Sequence, residues 1–348
     1  ANRKEIANAG PFSMLVKQLR SDSRKVQMLA AAVMSKLSGD SSGNVDAIAE
    51  AKGITPLVAL LDVKDPKTKM HSAMVLSDML LVPGREFADS VAEEGGTPLL
   101  VTMLSSGHTI ETKAVAASAI GSIALVHTLA VGKSGAIEPL VELLQLKNRA
   151  AQKQAAYALR SISTACESNQ DHIREAGAIP LLVHLLDSCT IEESEANTPF
   201  IAEWDVQANV AGALGELGND NSTNQASIAA SGGIQPIITL ITNGSREEPK
   251  EQAAYALWRL SSKSSDNQTA IANFGGISAL VHMVGKTTGK GQLMAAEALA
   301  SLALDNSKEQ VNISDLLIQL LKGASNDGRK REKAVRAISR FSSAHRSN

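Results

Sequence analysis

The chain has 348 residues, 44 % of them hydrophobic and 20 % charged, a balance that excludes a disordered tail. No apolar run approaches the roughly 18 to 20 residues that a membrane-spanning helix needs. Lys and Arg (34) nearly cancel Asp and Glu (36), and the net charge of −2 removes any global electrostatic case for nucleic acid. Five Phe, two Trp and two Tyr are the whole aromatic complement. The core must therefore pack with Leu, Ala, Ile, Val and Met, and the aromatic-lined pocket of a small-molecule enzyme is disfavoured.

The chain opens with ANRKEIANAG, which has neither an initiator Met nor the basic start and apolar stretch of a signal peptide. It begins inside a repeating pattern, so it reads as a processed chain or a piece of a longer one. One phrase then returns along the whole length: AGPFSMLVKQL from Ala9, KGITPLVALL from Lys52, and EGGTPLLVTML from Glu93. It continues as GAIEPLVELL from Gly135, GAIPLLVHLL from Gly177, GGIQPIITLI from Gly232, GGISALVHMV from Gly275 and a frayed NISDLLIQLL from Asn312. Aligned starts at 9, 52, 94, 135, 177, 232, 275 and 312 are spaced by 43, 42, 41, 42, 55, 43 and 37 residues. That is a steady period with one insertion and one deletion, the signature of a repeat architecture.

Each phrase reads as a helix, and Pro56, Pro98, Pro139 and Pro236 stand near its start, where a missing N–H costs nothing. A second phrase follows at fixed offset: AVAASAIGSIA at 114–124, QKQAAYALRSIST at 152–164 and KEQAAYALWRLSS at 250–262. Its three- and four-residue apolar spacing predicts a helix buried on a broad face. A short third helix precedes the Gly, as NQDHIREAG, NQASIAASG and NQTAIANFG, each opening on an Asn that can cap a helix start. The Gly suits the left-handed turn that ends one.

These phrases, their period and the order of short helix, Gly turn and two longer helices resemble armadillo repeats over essentially the whole chain. The resemblance implies an all-α fold: a right-handed α-solenoid, or superhelix, of about eight three-helix repeats whose third helices line a concave groove. The expected organisation is a single array over 1–348, with repeats at approximately 1–43, 44–86, 87–126, 127–168, 169–223, 224–266, 267–306 and 307–348. One repeat cannot bury its own apolar face, but stacked neighbours bury a continuous core. The first repeat keeps only the tail of its short helix, so Ile6 is expected to be exposed unless a missing segment or a partner covers that end.

In importin-α-like members of this family, groove Trp and Asn residues four apart on successive third helices hold an extended basic peptide. Here the Trp position carries Ala32, Met74, Ser118, Tyr157, Gly212, Tyr255, Glu297 and Arg336, and the Asn position Lys36, Asp78, Ser122, Ser161, Glu216, Arg259, Ser301 and Arg340. Neither ladder is present. Tyr255, Trp258 and Arg259 share one helix face at i, i+3 and i+4, and Tyr157 repeats the register of Tyr255 two repeats earlier. Aromatic residues beside Arg are what binding hot spots prefer. The alternative is that Trp258 packs between repeats and Tyr255 only covers its neighbour. The groove candidates are thus Lys36, Asp78, Tyr157, Ser161, Glu216, Tyr255, Trp258, Arg259, Arg336 and Arg340.

The insertion, at 188–205 in the fifth repeat, carries five acids with Phe200 and Trp204. It reads as a solvated loop with Trp204 anchoring its end, or as a flap folding onto the groove near Arg259. DGRKREKAVRAISRFSSAHR at the chain end carries seven Lys or Arg against two acids and reads as a solvated helix or an acidic-partner site. GKTTGKG from Gly285 lacks the upstream Gly of a phosphate loop, since that position is Leu280. His184 and His282 occupy equivalent outer positions on the second helix and have no metal-ligand spacing. No catalytic constellation, cofactor or metal is expected. Cys166 and Cys189, with no CxxC pair, point to a reducing compartment, cytoplasmic with the nucleus open. The reading is a non-enzymatic protein-binding scaffold for an extended segment or assembly subunits. Its alternatives are an importin-α-like transport receptor, or the recognition module of a larger protein such as a ubiquitin ligase.

Overall fold

The structure, a computed structural model, describes residues 6, 9–39, 42–82, 86–105, 107–191, 203–287, 289–304, 307–323, 332, 335, 338 and 339. Among them every regular element is a helix. The chain divides into two compact units, residues 1–162 and 163–348.

The first unit opens with α1 (Phe12–Leu19) and α2 (Arg24–Ser38). Three three-helix sets follow: α3 (Ser42–Glu50), α4 (Ile54–Ala59) and α5 (Pro66–Leu80); α6 (Phe87–Glu93), α7 (Gly96–Thr102) and α8 (Ile110–Ala124); α9 (Thr128–Gly132), α10 (Ile137–Leu144) and α11 (Arg149–Ser163). The second unit repeats the plan with α12 (Glu167–Glu175), α13 (Ala178–Ile191) and α14 (Glu203–Leu217), then α15 (Ser222–Ala230), α16 (Ile234–Asn243) and α17 (Glu247–Ser261), then α18 (Ser265–Asn273), α19 (Gly276–Lys286) and α20 (Gly289–Ala303), and ends on α21 (Ser307–Gly323). The third helices α2, α5, α8, α11, α14, α17 and α20 are each 15 residues long, about 22 Å.

A residue in the left-handed region separates each short helix from its second helix: Gly95, Gly135, Gly177, Gly232 and Gly275 at φ between 76° and 80°, with Gly10 at 66°. In the first and third repeats it falls one residue after the start of the aligned phrase, at Gly10 and Gly95 rather than 9 and 94. The second repeat has Lys52 at φ 58°. Its N–H bonds to the Ala49 carbonyl and that of Gly53 to Ile48, the paired bonds of a Schellman turn. Lys52 is exposed, so its side chain gives nothing back for the left-handed strain. Lys52→Gly is expected to raise stability by about 0.5–1 kcal/mol, read as a higher denaturation midpoint; a lower midpoint would contradict the strain.

The core is built from Leu, Ile, Val and Ala, as the composition requires. On α10, Ile137 and Leu140 are fully buried, and Pro139 stands in the first turn, where its absent N–H has no intrahelical acceptor to lose. On α8 the buried residues include Ile120 and Ile123 together with Ala116, Ala117 and Ala119, alanines that let neighbouring helices approach closely.

Three expectations shift. No Gly precedes NISDLLIQLL, so the short and second helices of the last repeat run together as the 17-residue α21. The helices on either side of the insertion reach Ile191 and resume at Glu203, taking both ends of the expected loop; 192–202 lie outside the described residues. The Asn residues do not cap their own short helices. Asn169, Asn224 and Asn267 are each the third residue of a short helix that begins two residues earlier, and all three are buried. Asn224 and Asn267 donate backwards to the carbonyls of Leu217 and Leu260, the ends of the third helices α14 and α17.

The neighbouring Gln reaches further. Gln225 Nε2 donates to Gly218 behind α14 at 3.0 Å, and to Arg259 at 2.9 Å and Ser262 at 3.1 Å at the end of α17. Gln170 does the same to Ser163, Glu216 and Asn219, and Gln268 to Ser261 and Ser301. The last carbonyls of a helix have no partner within it. One amide therefore satisfies the ends of two successive third helices and braces the repeats together.

Candidate functional site

On the third helices of the first unit, Lys36 is exposed near the end of α2. Across from it on α5, Asp78 accepts a 2.5 Å bond from the Ser38 hydroxyl, and burial pushes its carboxyl above the ordinary range. His71, bonded to Ser35 at 3.1 Å, has its basicity lowered by burial and then by Lys36. Tyr157 on α11 lies over α8. A methyl on Gly121 would stand 2.8 Å from its ring, and its hydroxyl meets Ser122 at 3.2 Å. Ser161 does not present itself as a groove contact: it is buried and its hydroxyl is taken by the Tyr157 carbonyl.

The second unit carries the denser cluster. Tyr255 on α17 lies over Gly215 of α14 in the manner of Tyr157 over Gly121. Its hydroxyl donates to Glu216 Oε1 at 2.9 Å. Trp258 meets Tyr255 edge-on, with ring centroids 6.1 Å apart and planes at 81°. The Arg259 guanidinium stacks on both, 4.1 Å from the Trp258 centroid and 5.1 Å from that of Tyr255, within cation–π range. Its Nε is buried with no hydrogen-bond partner among the described residues. Burial first, and then the Glu216 charge, push the Tyr255 phenol up to about 12. All four side chains are half-buried. Tyr255 covers the neighbouring repeat, while Trp258 and Arg259 remain partly open.

Trp204 lies at the start of α14 with the Arg246 guanidinium 5.8 Å from its ring centroid. Arg246 precedes α17 and Arg259 follows 13 residues later, so the two stand about 20 Å apart along that helix. Trp204 is anchored at the opposite end of the third helix from the aromatic cluster, and the expected flap over 192–202 lies outside the described residues. Phe200, Arg336 and Arg340 lie outside the described residues. His184 and His282 are exposed on the second helices. Among the described residues no group of three or more His, Cys, Asp or Glu is placed to hold a metal ion, and no helix is long and apolar enough to cross a membrane.

The sequence pattern pointed to the Tyr255, Trp258 and Arg259 face. It did not show that Glu216 and Gly215 complete it from the preceding repeat, because those contacts span about 40 positions of chain. The recurrence of Gly before the Asn position, at Gly121 and Gly215, was the available signal.

A family model described as the Armadillo/beta-catenin-like repeat matches residues 127–164. No curated protein matches. Among solved structures, the crystal structure of an engineered protein superposes with a TM-score of 0.78 at 29 % identity, over 99 % of this chain and 82 % of that one. Computationally designed armadillo repeat proteins for modular peptide recognition superpose with a TM-score of 0.59 at 24 % identity, over 71 % of this chain and 99 % of theirs. Three-helix repeats, left-handed turns at a constant register and these likenesses agree. The chain carries an armadillo repeat at 127–164 and has the all-α solenoid fold of armadillo arrays.

Proposed function

We propose that this chain is a non-enzymatic protein-binding scaffold that presents its third helices to a segment of a partner protein. The observation that carries the reading is the half-open cluster of Tyr255, Trp258 and Arg259, tied by Glu216. Aromatic faces held rigid beside an Arg are the usual anchors of a protein interface. The same chemistry argues for binding over catalysis: a phenol raised to about 12 exchanges protons poorly near neutral pH, and Arg259 cannot act as a base. Lys36, Asp78 and Tyr157 supply further contacts on the first unit. The importin-α mechanism lacks its Trp and Asn ladder and is not part of this reading.

The partner is to be identified by cross-linking mass spectrometry in a native extract, where links from Lys36, Lys153 and Lys250 to one foreign peptide are expected. Tyr255→Ala with Arg259→Ala should then weaken that partner's affinity by more than about 1 kcal/mol, roughly fivefold, with the helical signal kept. Unchanged affinity would move the binding surface elsewhere.

A further inference from the structure

The starts of the third helices in the first unit form a basic edge. Arg24, Lys25 and Met28 of α2, with Lys64, Asp65, Pro66 and Lys67 at the start of α5, line a cleft of about 440 Å³. Its four cations are exposed, and none of them makes an ion pair among the described residues. The acid in the lining is spent within its own helix. Asp65 caps α5, accepting the Thr68 N–H at 2.8 Å and the Thr68 hydroxyl at 2.6 Å, and those bonds hold its carboxyl below the ordinary range. Neither α2 nor α5 places an acid in its first turn, although a helix start favours one. This is a property of these repeats and not of the repeat plan, since α17 opens on Glu247 and Glu248.

The edge runs on past the cleft. Lys69 of α5 and Lys113 of α8 both act on His108, between the second and third helices of the third repeat, and after burial they lower its basicity. Lys147 stands exposed before α11 in the next repeat. These three lysines also have no ion pair among the described residues. Cations gathered along one edge without carboxylate partners repel one another, and an incoming acid relieves that repulsion. The cleft offers such an acid cations on both sides.

We propose that this edge binds an extended acidic segment of a partner protein, its carboxylates seated between Arg24, Lys25, Lys64 and Lys67. Packed helices lie about 8–10 Å apart and an extended chain rises about 3.3 Å per residue. An acid at every third residue therefore meets a new set of cations at each repeat. Met28 and Pro66 add apolar surface for the stems of such side chains, and the Arg24 guanidinium can grip a carboxylate with two bonds. A long nucleic acid fits less well, because the whole chain is net negative at −2 and the start of α17 is acidic. The proposal does not depend on the Arg259 cluster, which belongs to the second unit.

The test uses the whole chain and three labelled probes read by fluorescence anisotropy. They are a peptide of about twelve residues with Glu at every third position, its Lys counterpart, and a single-stranded DNA of similar length. In about 50 mM salt the Glu peptide should bind at about 0.1 mM or tighter and the Lys peptide should not, with binding lost near 0.5 M salt. Lys64→Glu with Lys67→Glu should weaken the complex at least about tenfold. Both side chains are exposed, and an acid at the start of α5 suits the helix, so folding is spared. Lys52→Glu with Lys133→Glu makes the same change in net charge at exposed positions before second helices, and should weaken it by less than about twofold. Arg259→Ala should leave the peptide bound. The proposal is overturned if the Glu peptide does not bind, or if the two double variants weaken it alike. DNA that binds as tightly and loses as much to Lys64→Glu with Lys67→Glu would also overturn it, since the edge would then be a general polyanion site.

Discussion

Gln225→Glu is expected to destabilise the second compact unit by about 4 kcal/mol near pH 8, and Gln225→Ala by about 2–3 kcal/mol. The wild-type amide gives its two hydrogens to three carbonyls, those of Gly218, Arg259 and Ser262, from a side chain only 3 % exposed. Ala removes the donor and leaves carbonyls at the ends of α14 and α17 without it. Glu does worse, because it turns a carboxylate towards the same oxygens in a site that excludes water. Burial and those acceptors would raise its folded pKa above the unfolded value near 4.3. The penalty of Glu is therefore smallest below the unfolded pKa, where both states are protonated, and grows as pH rises through the folded pKa. The deficit of Ala has no such dependence. Urea unfolding near pH 4 and pH 8 separates the two. Equal midpoints for wild type and Gln225→Glu at the higher pH would remove the brace from the account of how repeats hold together.

The repeat plan was legible in the sequence because every repeat must bury the same faces, so Ile48, Val91 and Ile271, or Leu140 and Leu280, recur at one register. The turns between short and second helices were legible for a similar reason: a left-handed backbone selects Gly, from which Lys52 departs, whereas the left-handed Ala165, Asp220 and Lys263 after the third helices carry no such mark. The chemistry joining repeats was less legible. Asn267 looks like a cap for its own helix because local capping is what a short window can show, whereas its amide serves Leu260 behind it. Gln225 reaches Arg259 and Ser262 across 34 and 37 positions, a pairing that periodicity does not encode. The same holds at the candidate site. The i, i+3, i+4 spacing set Tyr255, Trp258 and Arg259 on one face, but the carboxylate that orients the phenol comes from another repeat. Ser161, aligned with the same groove position as Arg259, is spent on its own helix, since a hydroxyl that short bonds back to a carbonyl four residues earlier.

Gly215→Ala is expected to reverse the usual sign of a helical Gly→Ala change. In a free helix interior the substitution favours folding by about 1 kcal/mol. At Gly215 the added methyl would stand 2.7 Å and 2.8 Å from two ring carbons of Tyr255 and 3.2 Å from the Cα of Ala256. The ring is held by its bond to Glu216 and by Arg259 stacked on its face, and Ala256 is backbone in a fully buried turn, so neither yields easily. Overpacking of this kind costs about 1–3 kcal/mol. Most of that strain comes from the ring, so Gly215→Ala made in a Tyr255→Ala background should be nearly neutral or stabilising. The double-mutant cycle should give a coupling of about 1–3 kcal/mol between positions 215 and 255. The strained single variant should also push Tyr255 off Arg259 and reduce partner binding alongside stability, linking the two properties through one ring. A stabilising Gly215→Ala in the wild-type background would mean that the tyrosine moves freely, and that the cluster is not the rigid anchor the binding proposal requires.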